Sequence, residues 1–262
     1  MYNILISGYY GFDNIGDESI LRTLVSSLRE HIPDCSLTVL SHNPTSTREK
    51  YGVEAVDRMS PMAILRAVKK CDMLISGGGS LLQDVTSSKS LHYYLSIIRC
   101  AEFFHKKVFI YSQGIGPIDR PGNRRAAAAA LKRADGIVVR DERSASLLEE
   151  IGIARDKVVI TADPVIRMKK TDRAVGETIL RRAGVTQDGR PVVGWAIRER
   201  NRDSRFVAEV LRSIRWLKET YNAQSVLIPF HYEEDGEVCR HIASQLPDDT
   251  AVCLDEKYLS ED

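Results

Sequence analysis

Short runs of apolar residues alternate along the chain with longer segments in which apolar residues recur every three to four positions. Helices are predicted from the longer segments at residues 18–30, 61–70, 90–104, 120–133 and 142–151. Six short runs before residue 165 predict strands, at residues 3–7, 36–40, 73–76, 108–111, 136–139 and 158–161. This alternation favours a parallel sheet covered by helices on both faces.

The same pattern divides the chain into one complete α/β domain, a linker and part of a second α/β domain. Residues 1–166 predict a doubly wound, Rossmann-like first domain. Residues 167–190 predict a basic linker and a helix over 173–183. Residues 191–262 give three strands and two helices, which is about half of a second α/β domain. We expect such a short fragment to be poorly covered, because small domains bury little surface, and we interpret the chain as truncated at its C-terminus.

Composition excludes several classes of function. Lys and Arg number 37 against 36 Asp and Glu, a net charge of +1 that gives no overall attraction for nucleic acid. Five cysteines without a CxxC pair indicate a reducing, cytoplasmic location. No window approaches the ~20 apolar residues of a membrane span, so any membrane contact is expected to be peripheral. The six histidines show no metal-binding spacing, and we expect no metal site.

Ligands of open parallel sheets bind beyond the carboxyl ends of the strands, so the loops after the predicted strands are the candidate sites. The first loop, at residues 8–17, departs from the GxGxxG spacing of dinucleotide sites. In this loop Gly16 allows close backbone approach, and Asn14 and Asp17 could hydrogen-bond sugar hydroxyls. The alternative is that Asn14 or Asp17 only caps the following helix.

The loops after the third and fourth predicted strands are also rich in glycine. Gly77, Gly78 and Gly79 are expected to expose consecutive amides to an oxyanion or a sugar, and they are followed by Ser80 and Asp84. No lysine follows, so this is not a P-loop. The next loop begins with Gln113 in the sequence QGIGP. Tight turns that pack against their neighbours are the alternative for both loops.

Basic side chains follow three other strands. Arg140 follows the fifth strand, where a guanidinium could bind a carboxylate or phosphate in two-pronged fashion, while Asp141 is predicted to cap the next helix. Arg198 and Arg200 follow the first strand of the second domain, and His231 follows the next one. The alternatives are a structural salt bridge for Arg140, a solvated charged loop for Arg198 and Arg200, and a packing or surface role for His231.

Six motifs in order resemble the polysaccharide pyruvyl transferase family, most closely its bacterial cell-wall members of the CsaB type. They are GYYGFDNIGDESIL at 8–21, GGGSLLQD at 77–84, QGIGP at 113–117, VVRDERS at 138–144, ADP at 162–164 and IPFH at 228–231. The resemblance implies a GT-B-like fold in which two Rossmann-like domains face each other. From the chemistry of the loops themselves, we expect the acceptor on the first domain and the donor on the second.

The resemblance also implies the reaction, which is pyruvate transfer from phosphoenolpyruvate to a lipid-linked or polymeric saccharide, with no further cofactor. For CsaB-type enzymes the acceptor is a β-N-acetylmannosamine of the cell-wall polymer that anchors S-layer proteins, at the inner face of the membrane. By their position and chemistry, Arg140, Arg198, Arg200 and His231 are the candidates for donor contacts, and the loops of the first domain are the candidates for acceptor contacts. The family's general-acid His lies in a segment beyond residue 262, so we expect this chain to be inactive alone.

Two other functions remain open at this point. One is a GT-B glycosyltransferase that uses a nucleotide sugar, which would need an aromatic side chain for the base and an acid for the ribose. The other is a non-catalytic carbohydrate-binding fragment. Binding of phosphoenolpyruvate or of a uridine diphosphate sugar, read from the rise in thermal stability, separates these alternatives.

Overall fold

The computed structural model describes residues 2–85, 87–186, 188–198 and 204–254, apart from the side chains of Tyr232 and Glu233. The chain divides into two units between Met168 and Lys169. The division falls within the basic stretch that the sequence predicts to be a linker.

The first unit is built on a parallel sheet of seven strands in the order β3-β2-β1-β4-β5-β6-β7. The strands are β1 (Tyr2–Tyr10), β2 (Cys35–Ser41), β3 (Glu54–Asp57), β4 (Met73–Ser76), β5 (Lys107–Gln113), β6 (Gly136–Val139) and β7 (Val158–Ile160). The chain winds outward from β1 in one direction, returns to β4 and continues in the other. This order confirms the predicted doubly wound α/β class.

Six helices flank this sheet. They are α1 (Ile15–His31), α2 (Pro44–Tyr51), α3 (Pro61–Lys70), α4 (Ser88–Phe103), α5 (Pro121–Leu131) and α6 (Glu142–Glu150). Helices α3 to α6 pack on the face that carries Leu5 and Leu74, and α1 packs on the face that carries Ile4 and Ile6. Neighbouring residues of β1 therefore enter opposite apolar cores, as the alternation of side chains along a strand requires. Cover of the second face is incomplete at the end of the sheet, where Val159 of β7 is 55% exposed.

Helix α2 and strand β3 are not among the predicted elements. The α2 segment, PTSTREKY, has a single large apolar residue, Tyr51. The helix forms because Asn43 caps its first turn and Gly52 ends it with a φ of 60°. Strand β3 lies at the edge of the sheet and buries only Ala55. Both elements therefore lack the apolar repeat on which the prediction depends.

The second unit contains a parallel sheet in the order β10-β9-β8. Its elements are α7 (Arg173–Arg182), β8 (Val192–Trp195), α8 (Ser204–Tyr221), β9 (Gln224–Leu227), α9 (Tyr232–Ala243) and β10 (Ala251–Cys253). The three strands and two helices predicted after residue 191 are present. No helix in the described ranges has the length and apolar character needed to cross a bilayer.

Helices lie on both faces of this smaller sheet, but the face of α7 is open at the edge strand β8, where Val192 is 44% exposed. The expected poor cover is therefore found at this edge and not over the centre of the sheet. Helices α8 and α9 pack with Leu227 on one face. On the other face Ile179 and Leu180 of α7 pack against Val226 and Leu254. The helix predicted as part of the linker supplies the missing layer.

Candidate functional site

The carboxyl edge of the seven-stranded sheet brings together loops that are far apart in sequence. The loop after β4 runs beside the end of β5, where Gly79 and Gln113 form a parallel bridge. The N–H of Gly114 donates to the carbonyl of Gly79 at 2.9 Å, and the N–H of Arg140 donates to that of Gln113 at 3.1 Å. The predicted residues after β4, β5 and β6 therefore share one edge, which is where parallel sheets bind ligands.

Arg140 lies among polar side chains from three segments at this edge. Its Nη1 donates to Oδ2 of Asp163 at 3.0 Å, and its Nη2 donates to Oγ of Ser80 at 3.0 Å. Its Nε lies 3.6 Å from Oδ2 of Asp141. The side chain is 31% exposed, so the guanidinium is held by its neighbours and still reaches solvent. The salt bridge left open by the sequence is present, and donor binding by Arg140 stays a prediction.

Asp141 caps helix α6, as predicted. Its Oδ1 accepts from the N–H of Ser144 at 2.8 Å and from the hydroxyl of the same residue at 2.7 Å. Burial acts to raise the pKa of the Asp141 carboxyl, but these hydrogen bonds and the charge of Arg140 outweigh it and lower the pKa. Asp141 is therefore ionised at neutral pH, and its Oδ1 is fully engaged in the cap.

The first glycine loop is organised by Asn14. Its Oδ1 accepts from the N–H groups of Gly16 and Asp17 at 3.0 and 3.3 Å, which makes it the N-cap of α1. The capping alternative is thus correct for Asn14. The sugar contacts proposed for Asn14, Gly16 and Asp17 stay predictions.

The run of three glycines is buried, and its first amide is already engaged. The N–H of Gly77 donates to the carbonyl of Ser7 at 2.7 Å, which extends the β1–β4 ladder. A Cβ at Gly77 would overlap the hydroxyl of Tyr10. Close packing, the alternative left by the sequence, therefore accounts for Gly77. A saccharide contact by Gly78, Gly79 or the exposed Ser80 stays a prediction.

Asp84 is a buried carboxylate that organises the start of α5. Its Oδ1 accepts from the N–H of Asp119 at 3.0 Å, and its Oδ2 accepts from the N–H of Arg120 at 3.1 Å and from Nδ2 of Asn123 at 2.8 Å. Only 7% of the residue is exposed. These bonds give Asp84 a structural role, and its predicted contact with a saccharide stays untested.

Two buried polar groups lie beneath the glycine loops. Nε2 of Gln113 donates to Oγ of Ser76 at 2.7 Å, while the Gln113 Oε1 and the Tyr10 hydroxyl have no hydrogen-bond partner among the described residues. Burial raises the pKa of Tyr10 well above its ordinary value, so its phenol is neutral. Both side chains are fully buried. The amide of Gln113, predicted to bind a sugar, is therefore not at the surface.

Arg58 is a buried arginine at this edge that the sequence analysis does not identify as a candidate. It is 7% exposed, its Nη1 donates to the carbonyl of Gly8 at 3.0 Å, and its Nη2 donates to the hydroxyl of Tyr94 at 3.2 Å. Among the described residues, no carboxylate forms an ion pair with it. Its guanidinium carbon lies 4.8–5.6 Å from the ring centres of Tyr9, Phe12, Tyr93 and Tyr94. Cation–π contacts thus take the place of a counter-ion.

The second unit has its own cluster at the ends of β8 and β9. His231 caps α9, because its Nδ1 accepts from the N–H of Glu234 at 3.3 Å. The N–H of His231 donates to Oδ2 of the buried Asp235 at 2.7 Å, and Nε of Arg198 lies 3.9 Å from the same oxygen. Arg198 and His231, both predicted to bind the donor, therefore meet at one carboxylate. Arg200 lies outside the described residues.

Comparison with known proteins places the chain in a family. The polysaccharide pyruvyl transferase family matches residues 14–260. The chain belongs to this family. The match spans all the loops described above apart from the start of the first, and it confirms the resemblance inferred from the ordered motifs.

Similar proteins fall into two groups. The amylovoran biosynthesis protein AmsJ of Erwinia amylovora is 24% identical over 219 residues, which are 68% of this chain and 52% of AmsJ. The chain thus spans about half the length of this relative. Solved structures with a similar fold include HepE of Anabaena in complex with UDP-glucose, at 11% identity, and the UDP-GlcNAc 2-epimerase of Neisseria meningitidis, at 15%.

The two structures show the fold and leave the activity open. Each covers 97% of this chain, which corresponds to 69% of HepE and 72% of the epimerase, with TM-scores of 0.60 and 0.63. The predicted GT-B-like fold class is confirmed. The finer likeness to CsaB-type members stays a prediction.

Proposed function

We propose that this protein transfers pyruvate from phosphoenolpyruvate to two hydroxyls of a saccharide and so forms a cyclic ketal. The observation that supports this most is the family match over residues 14–260. The partly exposed guanidinium of Arg140, at the ligand-binding edge of the sheet, suits a small anionic donor. The AmsJ likeness is consistent with a polysaccharide product.

The reaction needs one proton and a place for two anionic groups. Protonation of C3 of the enol makes C2 electrophilic, a saccharide hydroxyl attacks C2, phosphate leaves, and a second hydroxyl closes the ketal. One hydroxyl proton balances the proton added to C3, and the other leaves with phosphate. Arg140, Arg198, Arg200 and His231 are our candidates for the carboxylate and phosphate of the donor. None of the described side chains is assigned as the acid.

We propose the first unit as the acceptor side, with contacts along the loops that contain Asn14 and Ser80. These loops present small and neutral polar groups, which suit the many directional hydrogen bonds of a sugar. A β-N-acetylmannosamine in a lipid-linked cell-wall polymer precursor is the first acceptor to test. Such a precursor would place the protein at the cytoplasmic face of the membrane.

A nucleotide-sugar glycosyltransferase is the second candidate, because the two similar structures hold UDP-glucose and UDP-GlcNAc. Titration calorimetry with phosphoenolpyruvate and with UDP-glucose tests the two proposals without requiring turnover. We expect binding of phosphoenolpyruvate, weakened about 10- to 100-fold by Arg140→Met, since a hydrogen bond to a charged group contributes roughly 1.5–3 kcal/mol.

The matched control is Arg143→Met, which changes an exposed arginine of the same segment. It should leave the affinity for phosphoenolpyruvate unchanged. If the chain binds UDP-glucose but does not bind phosphoenolpyruvate, the second candidate function replaces the proposed one. If the chain binds neither ligand, the proposal that it contains a donor site is wrong. Release of phosphate together with a pyruvylated saccharide, measured with an acceptor present, tests the complete reaction.

A further inference from the structure

Gly114 lies directly against the guanidinium of Arg140. A Cβ built on Gly114 would lie 2.7 Å from Nε, 2.7 Å from Nη2 and 2.8 Å from Cζ of that arginine. Such distances are too short for non-bonded atoms, so any side chain at position 114 would displace the guanidinium. Gly114 is not among the glycines with positive φ. Its backbone φ therefore does not exclude alanine, and the three atoms nearest to such a Cβ all belong to Arg140.

The two hydrogen bonds of Arg140 leave donors for a ligand. Each terminal nitrogen of a guanidinium carries two hydrogens. Asp163 accepts one from Nη1 and Ser80 accepts one from Nη2, so one N–H remains on each nitrogen. The Arg140 side chain is 31% exposed, so it is open to a small anion from solvent.

We propose that Gly114 and Asp163 are positioning residues, which fix the Arg140 guanidinium so that one N–H of each terminal nitrogen is left for the anionic group of the donor. This inference rests on the proposed function, in which Arg140 contacts phosphoenolpyruvate. Neither residue touches the donor in this account. Both act through the pose of Arg140.

Position 163 requires a carboxylate, because each of the two oxygens of Asp163 accepts a hydrogen bond. Oδ2 accepts from Arg140, and Oδ1 accepts from the N–H of Val165 at 3.1 Å. Asparagine has one acceptor oxygen, so Asp163→Asn turns an NH2 group toward one of these donors and releases it. Asp141→Asn is the matched control. It removes the same charge beside the same arginine but keeps the Oδ1 that caps α6.

The pose of Arg140 can be measured without any ligand. The Nε–Hε cross-peak of Arg140 in a ¹⁵N–¹H spectrum is the one lost in Arg140→Met. We expect Gly114→Ala and Asp163→Asn to shift it. Gly122→Ala should leave it in place, because nothing lies within 4 Å of a Cβ there. An unshifted cross-peak in both variants would overturn the positioning role.

Affinity gives the functional test, again with phosphoenolpyruvate and the full chain. We expect Gly114→Ala and Asp163→Asn each to weaken binding about tenfold, the equivalent of one charge-assisted hydrogen bond. Asp141→Asn should not weaken it. In the Arg140→Met background, Gly114→Ala should have no further effect.

Equal affinities of the Asp163→Asn and Asp141→Asn variants would show that only charge matters and would overturn the inference. The proposed function fails separately. If the wild-type chain binds no phosphoenolpyruvate, the donor contact of Arg140 is wrong, while the cross-peak shifts still decide whether Gly114 and Asp163 hold the arginine.

Discussion

Replacing Asp84 by asparagine removes a carboxylate that three donors share. One oxygen accepts from Asp119, and the other accepts from Arg120 and Asn123. Asparagine keeps one acceptor and turns an NH2 group toward the remaining donors. One or two hydrogen bonds to a charged acceptor are lost, at about 1.5–3 kcal/mol each. We therefore expect Asp84→Asn to lower the free energy of unfolding by ~2–5 kcal/mol, a large part of the total for a typical domain.

The contribution of Asp84 should also depend on pH. Burial acts to raise the pKa of its carboxyl, but the hydrogen bonds outweigh burial and hold the pKa below the ordinary value of about 3.9. A lowered folded-state pKa means that the stabilisation is complete above the unfolded value and is lost as pH falls below it. The stability difference between the wild type and Asp84→Asn should be constant from about pH 7 to 5 and should narrow below about pH 4.

Urea unfolding followed by far-ultraviolet circular dichroism measures both effects. Asp72→Asn is the control, because the exposed Asp72 uses one oxygen, Oδ2, to accept both donors of Asn3, at 2.8 and 3.1 Å. One acceptor is enough there, so we expect a loss under about 1 kcal/mol. The reasoning is refuted if Asp84→Asn loses no more than this control, or if its deficit at pH 7 persists unchanged at pH 3.

Two other substitutions test the packing under the glycine loops, with the same unfolding assay. Arg58→Ala should lower the free energy of unfolding by about 3–5 kcal/mol through lost ring contacts and hydrogen bonds. The exposed Arg66→Ala should lower it by ~0.5 kcal/mol or less, and equal losses would contradict the role of the four rings around Arg58. Gly77→Ala should cost about 1–3 kcal/mol, because its Cβ displaces the buried Tyr10. Gly176→Ala meets no neighbour and should not destabilise, so a Gly77→Ala variant as stable as this one would mean that Tyr10 relocates freely.

The sequence predicts an element best where both of its ends are marked. Strands β4 and β6 and helix α3 were predicted to the residue, since each is bounded by polar residues, glycine or proline. Strand β1 extends three residues beyond its predicted end at Ser7. Its last residues read as a glycine loop but still pair with β2 after a shift of register between Ser7 and Tyr10. A register shift leaves no mark in hydrophobic periodicity.

The sequence predicts where the candidate site lies in the fold, but it does not predict the hydrogen bonds that its side chains form. The place of Arg140 follows from the end of β6, but its partners Asp163 and Ser80 are 23 and 60 positions away. Which way a side chain faces depends on packing, and for that reason the sequence alone does not show that Gln113 and Asp84 are buried. Arg58 follows directly after β3, the strand that the apolar pattern missed, so recognising β3 would have placed it at the ligand-binding edge.

The interior place of β1 in the first sheet, between β2 and β4, affects how the chain folds during synthesis. Ile4 pairs with Leu37 of β2 on one side and with Met73 of β4 on the other. At a translation rate of roughly 5–20 residues per second, the second partner is made about 3–14 s after β1. During that interval an apolar strand has an open edge on the ribosome, where chaperones or premature pairing with other chains compete for it. Strand β1 is buried on both faces in the folded protein. In the nascent chain, however, one of its edges stays exposed until β4 has been synthesised.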